Sequence, residues 1–434
     1  MKYVFMFLLS ILFLIILLGM IGLGFAYLYS FKNKDSNLAK VFNNMPQGTW
    51  FYSGNYSFID AGEPFEQYEK KVVDYLLTRS KALPDFTVPE MVRLNKPFTL
   101  AVDPEACNQK QKISALLIHG LYASPNSMKD LAEHLQKNCI EATAILLPGH
   151  ATKPGDLLSL NGEVVLKQVE ARIQAFINST PDSKRILIGH SYGGLLSVLF
   201  SQKFNQQIHG MILFAPAFFV TKHAPLHASI GSRFLSYLPT NDFGRLSPVF
   251  YLTQSINAAK ILFSHLGLVT KAKPINTPTM LMISDQDEVT NYRGVISFAR
   301  KKLANLKLFL NTNDKDSQYE LYGNSATYLN SASPEDKVVS MSHLGYFIKW
   351  NNPIYSENGP MACIDARNFD CRKPPKSWIQ GGLTNIPKNI PISKLTRNPF
   401  FERDMNEVVS FIQNIASENL VTDSPKSSEI ISKK

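Results

Sequence analysis

The stretch that most constrains the fold of this chain is RILIGHSYGG, at positions 185–194. Its first half is an aliphatic run typical of a buried strand, and the apolar residues after it follow a helical pattern. Between the two lies a G-x-S-x-G pentapeptide with Ser191 at its centre. A strand, a sharp turn and a helix in this order expose the hydroxyl of the central serine as a nucleophile. Gly189 and Gly193 fit such a turn, because a Cβ at either position would collide where strand and helix approach each other.

Apolar strands alternate with helical patterns along most of the chain. This alternation predicts an α/β fold with a mostly parallel central sheet and helices on both faces. The predicted strands cover residues 96–102, 113–118, 143–147, 186–188, 211–214, 279–283 and 337–340. The predicted helices cover residues 63–81, 127–137, 162–177, 195–204, 292–303 and 403–415. Asn126 is the expected N-cap of the second helix, and Pro84 and Pro89 predict an extended segment after the first.

Two blocks interrupt the alternation. Residues 219–276 are expected to form a cap over the carboxyl ends of the strands, and residues 344–397 are expected to form an irregular insertion. The polar stretch 311–334 also looks inserted. The remaining predicted divisions are an N-terminal anchor at 1–31, a linker and lead-in helix at 32–95, two core parts at 96–218 and 277–343, a terminal core helix at 398–416 and a polar tail at 417–434.

The N-terminus predicts a transmembrane helix. No residue from Tyr3 to Phe31 is charged, and the run exceeds the roughly 20 residues that cross a bilayer. It is also longer than the core of a cleavable signal peptide, which is roughly 7–15 residues. Gly24–Ala26 has the small-x-small pattern of a cleavage site, so a removed signal peptide is the alternative. The flanking lysines oppose each other and do not fix an orientation.

The four cysteines predict two disulfides. Cys107 precedes the predicted strand 113–118 and Cys139 precedes the next strand, so in a parallel sheet both lie at the same edge. Cys363 and Cys371 lie close together in one predicted loop. An even count that pairs in this way favours an oxidising compartment, with the catalytic domain on the extracytoplasmic side of a membrane. Four reduced cysteines in a cytosolic protein are the alternative.

Composition narrows the classes of function. The chain has 434 residues, 45% of them hydrophobic and 18% charged, which allows a large core and argues against extended disorder. The formal net charge is +10, but no Lys/Arg cluster interleaved with aromatic residues is present, so nucleic acid is not a predicted partner. No P-loop, paired CxxC or HExxH is found, and no cofactor or metal is predicted. His223 and His227 have the spacing of helix metal ligands, but Pro225 between them argues against a helix.

A serine nucleophile needs a base, normally a histidine that a carboxylate orients. In a fold with this strand–turn–helix motif the chain order is Ser, then Asp or Glu, then His. His343 is the only histidine beyond residue 265, and it follows the predicted strand 337–340, so it is the predicted base. Asp287, after the strand 279–283, is the predicted acid. Asp285 is the alternative, expected instead to cap or solvate that turn.

The negative charge of a tetrahedral intermediate needs two preorganised backbone donors. One is expected from Tyr192, the residue after the nucleophile. The other is expected from the turn after the strand 113–118, with Leu121 preferred and Tyr122 next.

Five stretches, in order, resemble the α/β-hydrolase superfamily, in its branch of carboxylesterases and monoacylglycerol-lipase-like enzymes. They are LLIHGLYASP, ILLPGH, ILIGHSYGG, MLMISDQDEV and the SHL that contains His343. The resemblance covers about residues 113–415. It implies a Ser191–Asp287–His343 triad, an oxyanion hole formed by Leu121 and Tyr192, and a cap between the sixth and seventh strands. Ser284 departs from the glycine that relatives usually have before the acid.

The expected function is that of a membrane-anchored serine hydrolase that cleaves carboxylic esters. The expected substrate is a small-molecule ester or a lipid with an apolar acyl group. A thioesterase, acyltransferase or amidase with the same triad is the alternative among enzymes. If the protein is not an enzyme, the alternative is a catalytically inactive binding protein of the same fold.

Overall fold

The computed structural model describes residues 51, 56, 62–107, 111–219, 236–238, 240, 242, 244–271, 273–383 and 389–417. The predicted membrane span, the pair His223 and His227, and the polar tail from residue 418 lie outside this set. Within it, no helix combines the length and apolar character needed to cross a membrane.

An eight-stranded sheet forms the centre of the described chain. Its strands are β1 Phe98–Leu100, β2 Lys112–Ile118, β3 Glu141–Ile145, β4 Ser183–His190, β5 Gly210–Phe214, β6 Thr279–Ser284, β7 Leu306–Thr312 and β8 Ala326–Asn330. The strand order is β1-β3-β2-β4-β5-β6-β7-β8. Only β1 is antiparallel to its neighbour, and all the other pairs are parallel. The predicted mostly parallel sheet is therefore confirmed.

Helices pack on both faces of this sheet. They are α1 Phe65–Arg79, α2 Val88–Asn95, α3 Lys129–Lys137, α4 Gly162–Ser179, α5 Tyr192–Lys203, α6 Ile256–Lys271, α7 Tyr292–Lys302, α8 Lys315–Tyr322 and α9 Phe401–Ala416. Strand residues alternate between two buried clusters, as the two-residue period of a strand requires. Leu116 and Ile118 face α4, α5, α6 and α7, whereas Ala115 and Leu117 face α3 and α9.

Two local predictions near the N-terminal part of the core are wrong. The segment after Pro84 is not extended throughout, because Thr87 and Glu90 form a capping box that starts α2, with Pro89 in its first turn. The T-x-x-E spacing carried this signal. Asn126 is not an N-cap, since it lies inside a short 3₁₀ helix, Pro125–Met128, that runs directly into α3.

The predicted strand at 337–340 is also wrong. Val338 makes only isolated bridges, to Ser333 and Gln380, and lies outside the central sheet. Its apolar character reflects burial against the core rather than sheet pairing. The strands that complete the sheet are β7 and β8, and β8 with α8 lies in the stretch 311–334, which the sequence presents as an insertion.

The two interrupting blocks contain more structure than the sequence indicates. The cap segment follows β5, the fifth described strand rather than the sixth, and its described part includes α6. The block at 344–397 contains a small parallel pair, β9 Ile379–Gly381 and β10 Ile392–Lys394. These strands place the end of the block beside the loop that carries His343, because the Ser342 hydroxyl donates to the Leu395 carbonyl.

Candidate active site

Ser191 lies at the turn between β4 and α5, with φ 50° and ψ −110°. This positive φ is uncommon for a residue with a side chain and marks a strained turn. A Cβ on Gly193 would lie 2.0 Å from the Ile118 carbonyl oxygen, and one on Gly189 would lie 2.4 Å from the Gly193 carbonyl oxygen. The two glycines are therefore required by close backbone contacts, as the sequence indicates.

The structure brings His343 and Asp287 together. The distance from His343 Nδ1 to Asp287 Oδ2 is 2.8 Å, and both side chains are buried. The other predicted acid, Asp285, points elsewhere and accepts a hydrogen bond of 2.6 Å from the Thr312 hydroxyl. Of the two carboxylates, only Asp287 contacts the predicted base.

Two backbone amides fix the Asp287 carboxylate. Its Oδ1 accepts from the amides of Val289 and Thr290, at 2.9 and 2.7 Å. Burial alone would raise the pKa of Asp287, but His343 and these donors outweigh burial and hold that pKa below its usual value. The Asp287 carboxylate is thus ionised and oriented towards His343 Nδ1.

Ser191 and His343 line the same cavity, whose volume is about 170 Å³. His190 packs against His343, with the two ring centroids 5.0 Å apart, and its Nε2 is 2.8 Å from the His343 carbonyl oxygen. Burial lowers the pKa of His190 to about 3, so the ring is neutral and donates its Nε2 proton to that carbonyl. His190 therefore holds the main chain of His343.

The amides around Ser191 distinguish the candidate oxyanion donors. Tyr122, the second choice from the sequence, donates its amide to His150 Nε2 at 3.1 Å. Among the described residues, no acceptor is found for the amides of Leu121 and Tyr192. Tyr192 is the first residue of α5, where a helix leaves its amides without an intrahelical partner. Leu121 and Tyr192 are therefore the amides available to an oxyanion.

Two histidines that the sequence analysis leaves without a role stabilise the turn with these donors. His119 Nδ1 contacts the Gly120 carbonyl at 2.8 Å and its Nε2 accepts the Leu147 amide at 3.0 Å. His150 Nδ1 contacts the Pro148 carbonyl at 2.9 Å while its Nε2 accepts the Tyr122 amide. The turn after β2 and the loop after β3 thus each supply an imidazole that accepts a backbone amide of the other segment. The HG and PGH stretches are the sequence signal for this arrangement.

The cap segment is bonded to both candidate oxyanion elements. The Tyr192 hydroxyl donates to Nδ1 of His265 on α6 at 2.7 Å. The Tyr122 hydroxyl donates to the Ser255 carbonyl at 2.7 Å, and the Tyr251 amide donates to the Tyr122 carbonyl at 2.8 Å. These bonds fix the wall of the cavity relative to Ser191.

Both expected cysteine pairs are bridged in the structure. Cys107 is bonded to Cys139 and Cys363 to Cys371, and no free cysteine occurs in the described part of the chain. Arg245 of the cap segment donates to the Cys363 carbonyl at 3.1 and 3.2 Å. The second disulfide loop is therefore tied to the cap beside the cavity.

Two charged residues near His343 are absent from the sequence prediction. Glu288 follows the candidate acid directly, and Lys394 comes from β10 at the end of the block 344–397. Only the three-dimensional structure brings Lys394 to the wall of the cavity. As for metals, the described side chains include no group of three or more His, Cys, Asp or Glu residues able to hold an ion.

The chain resembles known hydrolases in sequence and in structure. The profile of the family described as "Serine aminopeptidase, S33" matches residues 109–255. A search of curated protein sequences finds no match. Similar solved structures include a monoacylglycerol lipase of Paleococcus ferrophilus, 15% identical, with a TM-score of 0.45, covering 74% of this chain and 98% of that one.

Two further structures belong to the same set. A soluble variant of monoglyceride lipase from Saccharomyces cerevisiae is 18% identical, with a TM-score of 0.40, covering 50% of this chain and 81% of that one. Est1E from Butyrivibrio proteoclasticus, solved with ferulic acid, is 18% identical, with a TM-score of 0.37, covering 52% of this chain and 90% of that one.

The sheet order, the strand–turn–helix at Ser191 and the family profile over β2 to β5 agree with one another. The described part of the chain has the α/β-hydrolase fold, and residues 109–255 match the serine aminopeptidase family profile within it.

Proposed function

We propose that this protein is a serine hydrolase that cleaves carboxylic esters through a Ser191–His343–Asp287 triad. The observation that carries the proposal is the 2.8 Å contact between His343 Nδ1 and Asp287 Oδ2, made beside a serine on a strained turn that lines the same cavity. A buried carboxylate that orients a histidine next to a nucleophile is the arrangement that activates a serine hydroxyl.

The reaction would proceed in two halves. The Ser191 hydroxyl attacks the ester carbonyl and passes its proton to His343 Nε2, while Asp287 holds the Nδ1 proton and stabilises the charged ring. The amides of Leu121 and Tyr192 bind the oxyanion. Collapse of this intermediate releases the alcohol, which takes the proton from His343. His343 then deprotonates a water molecule that attacks the acyl-enzyme, and it returns this proton to the Ser191 oxygen as the bond to the acyl group breaks and the acid leaves.

The cavity wall supports an apolar acyl group. Apolar side chains from the cap segment, from the block 344–397 and from the loops beside Ser191, Asp287 and His343 line the cavity. They are Leu121, Phe250, Leu252, Leu262, Val289, Leu344 and Ile364. Acyl chains gain about 25 cal/mol for each Å² of apolar surface removed from water, so this lining favours longer acyl groups over acetyl.

A fluorophosphonate probe, which forms a covalent bond with activated serines, tests the proposal. Wild-type protein is expected to label, and Ser191→Ala is expected to lose labelling and to reduce ester hydrolysis by about 10³-fold or more, because no nucleophile remains. Ser197→Ala is a matched control, since Ser197 lies on α5 and donates to the Gly193 carbonyl away from the cavity. Wild-type protein that never labels, with Ser191→Ala indistinguishable from it, would contradict the proposal.

A panel of p-nitrophenyl esters of increasing chain length, beside monoacylglycerols, tests the acyl preference. Faster turnover of acetyl than of decanoyl ester would overturn the assignment of an apolar acyl group. Amide hydrolysis is the second candidate function, favoured by the description of the matching family as serine aminopeptidases. Aminoacyl p-nitroanilides in the same panel separate the two, and the faster substrate class identifies the reaction.

We further propose that residues 3–31 anchor the protein in a membrane and that the catalytic domain lies in an oxidising compartment. The uncharged length of that segment and the pairing of all four cysteines support this placement. Protein extracted with a thiol-blocking reagent is expected to show no free thiol under denaturing, non-reducing conditions and four after reduction. Four thiols that react before reduction would contradict an oxidising compartment.

A further inference from the structure

Beside His343 lies an ion cluster that the proposed reaction does not use, and two of its members, Lys394 and Asp365, line the same cavity. Lys394 Nζ is 2.8 Å from Asp365 Oδ2 and 3.4 Å from Glu288 Oε1. The side chains of Lys394 and Glu288 are 11% and 5% exposed, so this pair is largely removed from water. Buried ion pairs are costly to desolvate and are a poor source of stability, which raises the question of what this one does.

Glu288 connects the cluster to the candidate base. Its Oε2 accepts the main-chain amide of His343 at 3.3 Å, and it follows Asp287, which holds the imidazole. Two consecutive carboxylates therefore hold the same histidine, one at the side chain and one at the main chain. Their negative charges both favour the imidazolium that forms when the serine is deprotonated.

Lys394 controls the charge of Glu288. Burial raises the pKa of Glu288; the Lys394 cation opposes this rise, and the Asp287 carboxylate adds to it. Burial works against the charge of Lys394 too, but Glu288 and Asp365 outweigh it and raise the pKa of Lys394. Lys394 is therefore a stable cation, and of the groups that lower the pKa of Glu288, His343 among them, it has the largest effect.

Charged and titratable side chains from three elements surround His343. Asp287 and Glu288 face it from the loop after β6, and the neutral His190 faces it from β4. Lys394 stands behind Glu288 on β10. Ionised Glu288 is thus a second negative charge close to His343 besides Asp287, and its protonation would change the electrostatics of the base.

We propose that Glu288 and Lys394 are positioning residues for His343: ionised Glu288 fixes the main chain of the base and favours its charged form, and Lys394 keeps Glu288 ionised. The inference rests on the proposed function, since it assigns the charged residues of the same site. It also gives the block 344–397 a role, because that block supplies Lys394 to the site.

The test is the pH dependence of fluorophosphonate labelling in full-length protein. Glu288→Gln removes a negative charge and leaves Lys394 in place, so the imidazolium is disfavoured and the acid limb of the profile moves to lower pH by about one unit. Lys394→Met lets Glu288 protonate, so the acid limb is again expected to move to lower pH, but by less than in Glu288→Gln. The double variant is expected to match Lys394→Met, because Glu288 is already uncharged there, and Lys394→Arg keeps the wild-type limb.

Lys349→Met is the matched control, since Lys349 pairs with Glu133 at 2.9 Å outside the cavity and its loss changes the net charge equally. Its limb is expected to coincide with that of the wild type. A purely structural role would lower the labelling rate at every pH without moving the limb, and that result overturns the inference. A limb that moves to higher pH in Lys394→Met overturns the role of Lys394, because Glu288 would then stay ionised without it.

Failure of the inference is distinguishable from failure of the proposed function. Wild-type protein that does not label contradicts the function itself, whereas a labelled wild type with coincident limbs contradicts only the role of the ion cluster. Melting temperatures of all variants show whether each is folded. If Glu288→Gln does not fold, the comparison of Lys394→Met with Lys394→Arg still decides the result.

Discussion

Asp287→Asn is expected to lower kcat/KM for ester hydrolysis by about 10⁴-fold, the size of effect that follows from loss of the orienting carboxylate in a serine triad. Asp287 Oδ2 accepts from His343 Nδ1 at 2.8 Å, and Oδ1 is fixed by two backbone amides. An asparagine held in the same way presents an NH₂ group to Nδ1 and selects the wrong tautomer of the base. Steady-state hydrolysis of a p-nitrophenyl ester measures the loss.

Asp285→Asn is the matched control for that substitution. Asp285 lies two residues earlier in the same loop, is also buried, and accepts from the Thr312 hydroxyl rather than from His343. Its replacement by asparagine is expected to change kcat/KM by less than about tenfold, since it touches neither nucleophile nor base. Equal losses in the two variants would contradict the assignment of Asp287 as the acid.

Gly193→Ala is expected to prevent formation of the native turn, with a loss of stability of about 3 kcal/mol or more. The added Cβ would lie 2.0 Å from the Ile118 carbonyl oxygen and 2.7 Å from that of His119. Both contacts are to backbone in the core, so no side chain can move aside to relieve them. Thermal unfolding followed by tryptophan fluorescence measures the effect, and fluorophosphonate labelling is expected to disappear with it.

Gly267→Ala is the control for the second substitution. Gly267 lies inside α6, and a Cβ there meets no atom within 4 Å. Because glycine is a poor helix former, the alanine is expected to raise stability by about 0.5–1 kcal/mol. A Gly193→Ala protein with wild-type melting temperature would show that the close approach at Ile118 is not rigid.

The part of the site that the sequence predicts is the part fixed by local rules. The G-x-S-x-G turn has a backbone geometry that only glycine allows on both sides of Ser191. The chain order of the superfamily then leaves His343 as the one candidate base, and the structure places it against Asp287. The alternation of strands and helices predicted the parallel sheet for the same reason, because hydrophobic period is a local property.

The features that the sequence did not predict depend on contacts between distant segments. Val338 is as apolar as a strand residue, but burial against the core and isolated bridges explain that character, while the sheet ends with β7 and β8. The ion pair of Glu288 and Lys394 joins residues more than a hundred positions apart. No periodicity or motif encodes such a pairing, so it became visible only in three dimensions.

The buried histidines around the oxyanion turn make the fold sensitive to acid. Burial lowers the pKa of His150 to about 4 and that of His190 to about 3, and it lowers the pKa of His119 well below its usual value. Such groups stabilise the native state above the unfolded pKa near 6.5, and this stability falls as pH drops towards the folded values. Each contributes a slope of about 1.4 kcal/mol per pH unit in that interval. Because each of these buried imidazoles must take up a proton on unfolding in acid, the native state is expected to lose stability progressively below about pH 6.5.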